Sequence, residues 1–216
     1  MVPTPAVEFE LLGWPADGPT LRIDYRRFSY AGKFVMSNTG KAVLKREGRS
    51  VPSSNIGSTP VRELPYATAV LAAVAFNEDR TDASTLWLRY VTVDSEFRGQ
   101  GLGPELISRV RDLALERGYD SLQIAVNNPF AYDALWKAGF TFTGETTGLA
   151  ELILVHPVSP PATGTELSPS AGVDDRLLAR YRDGLEQFRS QDRDRSPDER
   201  RFLERRLENG PPSRST

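Results

Sequence analysis

The run Val91-Thr92-Val93-Asp94-Ser95-Glu96-Phe97-Arg98-Gly99-Gln100-Gly101-Leu102-Gly103 lies between two legible elements. Upstream, residues 84–93 set Leu86, Leu88 and Tyr90 against Trp87 and Arg89, the two-residue alternation of a strand. Downstream, Leu102, Leu106, Ile107, Val110, Leu113 and Ala114 recur at helical spacing until Gly118 supplies a stop. A strand that turns through glycines into a helix N-terminus presents backbone N–H groups and the positive end of the helix dipole, a combination suited to a diphosphate. The glycines let the chain come close to a ligand and take φ > 0, where a Cβ would clash. Spacing excludes two other phosphate loops: no Lys follows these glycines, and no glycine stands at the last offset of Gly-x-Gly-x-x-Gly. Alone, the loop reads equally well as a glycine-rich turn without a ligand.

Working outward, residues 7–14 and 20–28 carry β-favouring residues around Pro15-Ala16-Asp17-Gly18-Pro19, which predicts a hairpin. Residues 37–65 turn to Ser, Gly, Asn and Pro, interrupted by a short strand candidate at 41–45, and read as the least ordered part of the first half. Residues 66–77 and 84–93 predict a second antiparallel pair. Beyond the first helix come a buried-type strand at 121–126, a helix at 129–138 opened by Pro129 and closed by Gly139, and strands at 140–143 and 150–155. The order points to an α/β sandwich with a covered central sheet. Residues 7–157 form the expected domain, and 158–172, rich in Pro, Ser and Gly, a linker. A helical extension at 173–210 follows, its second helix opened by the capping box Ser196-Pro197-Asp198-Glu199, and 211–216 read as a disordered tail.

Composition narrows the function. The 216 residues suffice for one well-buried domain with appendages, and 39% hydrophobic with 26% charged residues is a globular balance. A net charge of −2 gives no general attraction to nucleic acid. The longest apolar run, 67–76, falls short of the ~20 residues of a membrane-spanning helix, and no membrane partner is expected. The N-terminal residues lack the basic-then-apolar order of a secretory signal, so a cytoplasmic location is expected. Cysteine is absent, His156 is the only imidazole, and no metal site is expected.

The loop resembles the acyl-CoA-binding motif of the GNAT superfamily of N-acetyltransferases, (Gln/Arg)-x-x-Gly-x-(Gly/Ala), through Arg98, Gly101 and Gly103. The segment from Asn128 to Phe140 is similar to that family's second motif, Asn-x-x-Ala followed by a helix and Gly-Phe. The resemblance implies a mixed, mostly antiparallel central sheet with helices on both faces. It implies acetyl-CoA as acyl donor, held by the backbone of Val91 and Val93, by Arg98, Gly99, Gln100, Gly101, Leu102 and Gly103, and by Asn128. Asn128 reads equally as a helix N-cap. The strand carrying Val91 and Val93 is expected to bulge. The reaction implied is direct acyl transfer to a primary amine of a small molecule or protein.

The sequence also departs from the family. Its usual acid is a Tyr four residues before the Gly of Gly-Phe, and that position holds Leu135. Tyr132, one helical turn earlier, is the remaining candidate acid, and Glu78 and Asp79 are candidate water-linked bases. These departures leave open a second reading, a non-catalytic acyl-CoA-binding module. The C-terminal helices suit packing on the domain, cover of the acceptor cleft or self-association as a homodimer. Acceptor choice is expected from residues 26–66.

Overall fold

A computed structural model of the chain describes residues 5–54, 61–157, 173–191 and 193–214, which fall into two compact units, Met1–Asp120 and Ser121–Thr216. The fold is mixed α/β with mostly antiparallel strands. The first unit contains β1 (Val7–Gly13), β2 (Thr20–Leu21), β3 (Gly40–Arg46), β4 (Ser53–Ser54), β5 (Val70–Glu78), β6 (Thr85–Val93) and α1 (Leu102–Glu116). Strands β1, β3, β5 and β6 lie side by side in that order, each neighbouring pair antiparallel, and β2 pairs with β4.

Seven consecutive residues of β5, Val70 to Phe76, are fully buried, so this strand is covered on both faces. One cover is α1, which packs on β3, β5 and β6 and buries Leu102, Leu106, Ile107, Val110 and Ala114. The other is irregular chain: Leu21, Ile23, Phe28 and Phe34 gather on Val43, Ala73 and Ala75.

The expected hairpin of 7–14 with 20–28 does not form. β1 pairs instead with β3, Phe9 opposite Leu44, and only Thr20–Leu21 is extended, against Ser53–Ser54. At Asp24 the chain turns: its carboxylate accepts from Arg26 N at 2.9 Å and its carbonyl from Arg27 N at 3.0 Å and Phe28 N at 2.9 Å. The turn aims Ile23 and Phe28 at the core, so their apolar character reflects burial in a loop rather than a strand. The modest candidate at 41–45 is in fact an inner strand with Gly40 to Lys45 all buried. Residues 55–60 lie outside the described residues.

The second unit contains β7 (Ser121–Val126), α2 (Pro129–Lys137), β8 (Thr141–Thr146), β9 (Leu152–His156), α3 (Val173–Ser190) and α4 (Pro197–Asn209). β9 lies between β7 and β8, antiparallel to both. α3 packs on β8 and α2, and α4 on α2 and α3, burying Tyr181, Leu185, Phe188 and Leu203. The capping box of α4 is formed, Glu199 N donating to Ser196 Oγ at 3.2 Å and Ser196 N to Glu199 Oε2 at 3.0 Å. The linker expected at 158–172 lies outside the described residues. Of the tail expected to be disordered, 211–214 make contacts: Trp136 Nε1 donates to Pro212 O at 3.0 Å, and the Arg214 guanidinium lies 3.9 Å over the Trp136 ring. Residues 215–216 lie outside the described residues.

Candidate functional site

β6 ends at Val93, and the chain then passes through a single 3-10 turn, Ser95–Phe97, before the glycines. Buried Asp94 starts that turn, its Oδ1 accepting from Glu96 N at 3.2 Å, while its Oδ2 takes an ion pair from Arg27. Phe97 is buried, which anchors the far end. Gly99 and Gly101 have φ of +77° and +87°, values that side chains other than glycine adopt at a penalty. A Cβ built on either would meet nothing within 4 Å, so their faces look onto open space. Gly103 differs: its φ is ordinary and a Cβ there would contact Val93 at 3.6 Å, so it packs α1 closely on the end of β6.

The first two helical residues, Leu102 and Gly103, have N–H groups that no carbonyl of the helix can reach, Pro104 has none, and Glu105 N already donates to Gly101 O at 3.1 Å. The donors left for a ligand therefore belong to the loop and the first two helical residues. Arg98 is exposed, its Nε 3.3 Å from Val93 O and its guanidinium 3.2 Å from Ser29 Oγ. The fit to a diphosphate is good: left-handed glycines with nothing before them, the N–H groups of the first helical residues and one exposed cation.

Val91 and Val93 stand opposite Val74 and Ala72 of β5, three strand positions inside the same unit as the loop. Between Tyr90 and Leu88 the register shifts, so Arg89 is the extra residue of a bulge, in keeping with the bulge expected in this strand. Asn128 and Tyr132 belong to the second unit. Asn128 caps α2, its Oδ1 accepting from Ala131 N at 2.8 Å. Tyr132 is 1% exposed and its hydroxyl lies 3.2 and 3.1 Å from the carbonyls of Arg180 and Tyr181 in α3. Burial pushes its pKa well above the usual phenol value. Leu135, at the position of the family acid, is also buried. The α2 hydroxyl is thus a fastener for α3.

The two candidate bases part company. Asp79 accepts from Thr81 N at 2.7 Å, Thr81 Oγ1 at 2.6 Å, Asp82 N at 3.1 Å and the Trp87 indole, and these donors hold its pKa down to about 2. A carboxylate that weak is a poor base near neutral pH. Glu78 receives the Tyr119 hydroxyl at 2.8 Å, and burial together with this carboxylate raises the Tyr119 pKa to about 12. Glu78 is absent from the cleft that Asn77 and Asp79 line, as alternation along β5 requires.

That cleft went unread in the sequence. It is a hollow of about 430 Å³ whose walls include Lys33, Asn77, Arg80, Arg89 and Tyr90, and it shares Lys33 and Met36 with a second hollow of about 520 Å³ beside Tyr25 and Tyr30. The only available signal was compositional, an unusual density of Tyr, Arg and Lys between 22 and 36. Among the described residues no group of His, Cys, Asp and Glu is fit to hold a metal ion, and no helix is long and apolar enough to cross a membrane.

A strand running through a glycine turn into an unsatisfied helix N-terminus is a site for an anion such as a diphosphate. Residues 57–140 match the model of the acetyltransferase (GNAT) family, a span that takes in β5, β6, the glycine loop, α1, β7 and α2. Over residues 57–140 the chain is thus GNAT-like. Solved structures similar to it include the ribosomal-protein-S18-alanine N-acetyltransferase from Escherichia coli, 16% identical over 76% of this chain and 99% of that one, with a TM-score of 0.45. The IAA acetyltransferase from Bacillus cereus ATCC 14579 is 15% identical over 69% of this chain and 98% of that one, with a TM-score of 0.43. An N-acetyltransferase from Staphylococcus aureus Mu50 is 18% identical over 54% of this chain, which spans 64% of that protein, with a TM-score of 0.37. No curated protein matches the sequence.

Proposed function

We propose that the protein transfers an acetyl group from acetyl-CoA to a primary amine, by direct attack of the amine on the thioester. The observation that carries the reading is the pair of left-handed glycines, Gly99 and Gly101, open to space at the start of α1. Acetyl-CoA, when bound, supplies the activated acyl group. The loop N–H groups of 99–103 and Arg98 would hold its pyrophosphate, and the backbone of Val91 and Val93 its pantetheine arm and acyl carbonyl. The acyl-CoA domain is residues 7–157, with α3 and α4 as an extension.

The chain's part in the reaction is largely to bind and orient. The incoming ammonium gives up its proton to water, since Asp79 is too weak a base and Glu78 is engaged by Tyr119. The departing thiolate takes its proton from water as well, because the Tyr132 hydroxyl is bonded to α3. Orientation without proton transfer forgoes the ~10²–10⁴-fold that a positioned acid or base contributes, so turnover is expected to be slow and to rise with pH as the amine deprotonates.

The same facts about Leu135 and Tyr132 favour a second reading, a module that binds acyl-CoA without turnover. Two measurements separate them. Calorimetric titration with acetyl-CoA should show binding, and absence of heat at millimolar cofactor rejects both readings. Thiol release in the presence of amine acceptors identifies the enzyme; binding without release on any acceptor identifies the module.

A further inference from the structure

We propose that the acceptor is a small amine carrying a carboxylate or phosphate, received in the hollow between Lys33, Arg80, Arg89 and Tyr90. This rests on the acyltransferase reading and names its acceptor class. The hollow lies within the first unit and is walled by the two residues of β6 that precede Val91. In a regular strand Arg89 and Tyr90 would face opposite sides, but the bulge between Leu88 and Tyr90 lets both line the same cleft. Its volume, about 430 Å³, is that of a small-molecule site.

The charge around it is one-sided. None of Lys33, Arg80 and Arg89 takes part in a salt bridge among the described residues. The one carboxylate in the wall, Asp79, has its oxygens filled by Thr81, Asp82 and Trp87. Arg89 is held in place rather than loose: its Nε donates to Asn77 Oδ1 at 2.5 Å and its guanidinium sits 4.9 Å over the Trp87 ring. Desolvation of its inner part lowers its pKa and the neighbouring Arg80 adds to the shift, while Asp79 opposes it. A pre-oriented guanidinium fork is the group best shaped for a carboxylate or phosphate.

The rest of the acceptor has a matching surface. Tyr30 and Tyr90 lie 5.7 Å apart and Lys33 Nζ stands 5.7 Å over the Tyr90 ring. Tyr25, Tyr30 and Met36 are exposed, an apolar wall open to a ligand. Tyr30 takes φ of +60°, a strained value for a tyrosine, at the entrance to this wall. The same field disfavours polyamines and basic peptides as acceptors. In the transfer the amine nitrogen bonds to the acyl carbon as the carbon–sulfur bond breaks; sulfur leaves with the electron pair and becomes the CoA thiol, and the amine proton goes to water.

The test compares matched probes: phenylalanine with phenylalaninamide, phosphoethanolamine with ethanolamine, and spermidine. CoA release should be at least about tenfold faster in kcat/KM for the anionic member of each pair, the size of one charge-assisted hydrogen bond, and lowest for spermidine. Arg89→Gln should bring the ratios toward one with acetyl-CoA affinity unchanged. Equal rates, or a preference for spermidine, overturn the proposal. A second readout does not require turnover: calorimetry of N-acetylphenylalanine against its amide should show the acid binding about tenfold tighter, and equal binding refutes the site even in a protein without activity. Tight binding of the acid by a protein that ignores acetyl-CoA would instead refute the acyltransferase reading and leave the anion site standing.

Discussion

The glycine loop of the first unit and the α2–α3–α4 cluster of the second treat polar groups in opposite ways. In the loop, Gly99 and Gly101 face open space and the N–H groups of Leu102 and Gly103 have no partner within α1. In the cluster the central carboxylate is matched: Asp133, 3% exposed, accepts from the Tyr181 hydroxyl at 2.8 Å and pairs with Arg206 at 2.8 Å and Lys137 at 3.1 Å. The first arrangement keeps hydrogen-bonding capacity for a ligand; the second uses it to hold helices together. Tyr132 was expected on the catalytic side of that divide and stands on the structural side.

Gly101→Glu should break the contrast most sharply. It sets a negative charge before the helix N-terminus, and acetyl-CoA affinity should fall by more than about a hundredfold in calorimetry. Gly101→Ala keeps the space and isolates the φ penalty, about 1–2 kcal/mol of stability by denaturant unfolding. Next in size, Asp133→Ala strands Arg206 and Tyr181 in the helix cluster and should lower unfolding free energy by about 2–4 kcal/mol. Tyr132→Phe should lower it by about 1 kcal/mol, the value of a buried hydrogen bond, and leave the thiol-release rate unchanged. A rate loss with unaltered stability would return Tyr132 to the role of acid.

A pH-dependent effect concerns Lys41, fully buried at the edge of the acceptor segment, its Nζ donating to Pro19 O at 2.5 Å, Met36 O at 2.7 Å, and Thr39 O and Oγ1 at 3.0 Å. Burial pushes its pKa down to about 8 from the ordinary 10.5. Between those values the unfolded chain binds a proton that the folded one has released, so the lysine's contribution to stability rises with pH across that window. Below about 8 both states are protonated and the slope vanishes. Lys41→Met should remove this rise in a series of melts from pH 7.5 to 10.5.

Legibility in the sequence followed locality. β5, β6, α1 and α2 could be read because their periods and caps lie within a dozen residues, and the glycine loop because its strand and helix adjoin it. The pairing of β1 with β3 joins residues about 30–40 apart across an irregular cover, and Ile23 and Phe28 imitate a strand because burial, not backbone geometry, selected them. The bases were chosen by residue type, yet what disqualifies Asp79 is a turn with Thr81 and Asp82 plus an indole eight residues on. The acceptor cleft depends on a single extra residue in β6, which no periodicity reveals.

The turn at Asp94 has one more consequence. Arg27 pairs with Asp94, Ser95 N donates to Arg27 O at 2.9 Å, and Arg98 reaches Ser29 Oγ at 3.2 Å, so the donor loop and the segment leading into Tyr30 and Lys33 are stitched together. Two ligand sites that share such a joint are thermodynamically linked: whatever factor the acyl donor lends to acceptor affinity, the acceptor returns. On that reading the coupling between donor and acceptor runs through three bonds around residues 27–29 rather than through either pocket.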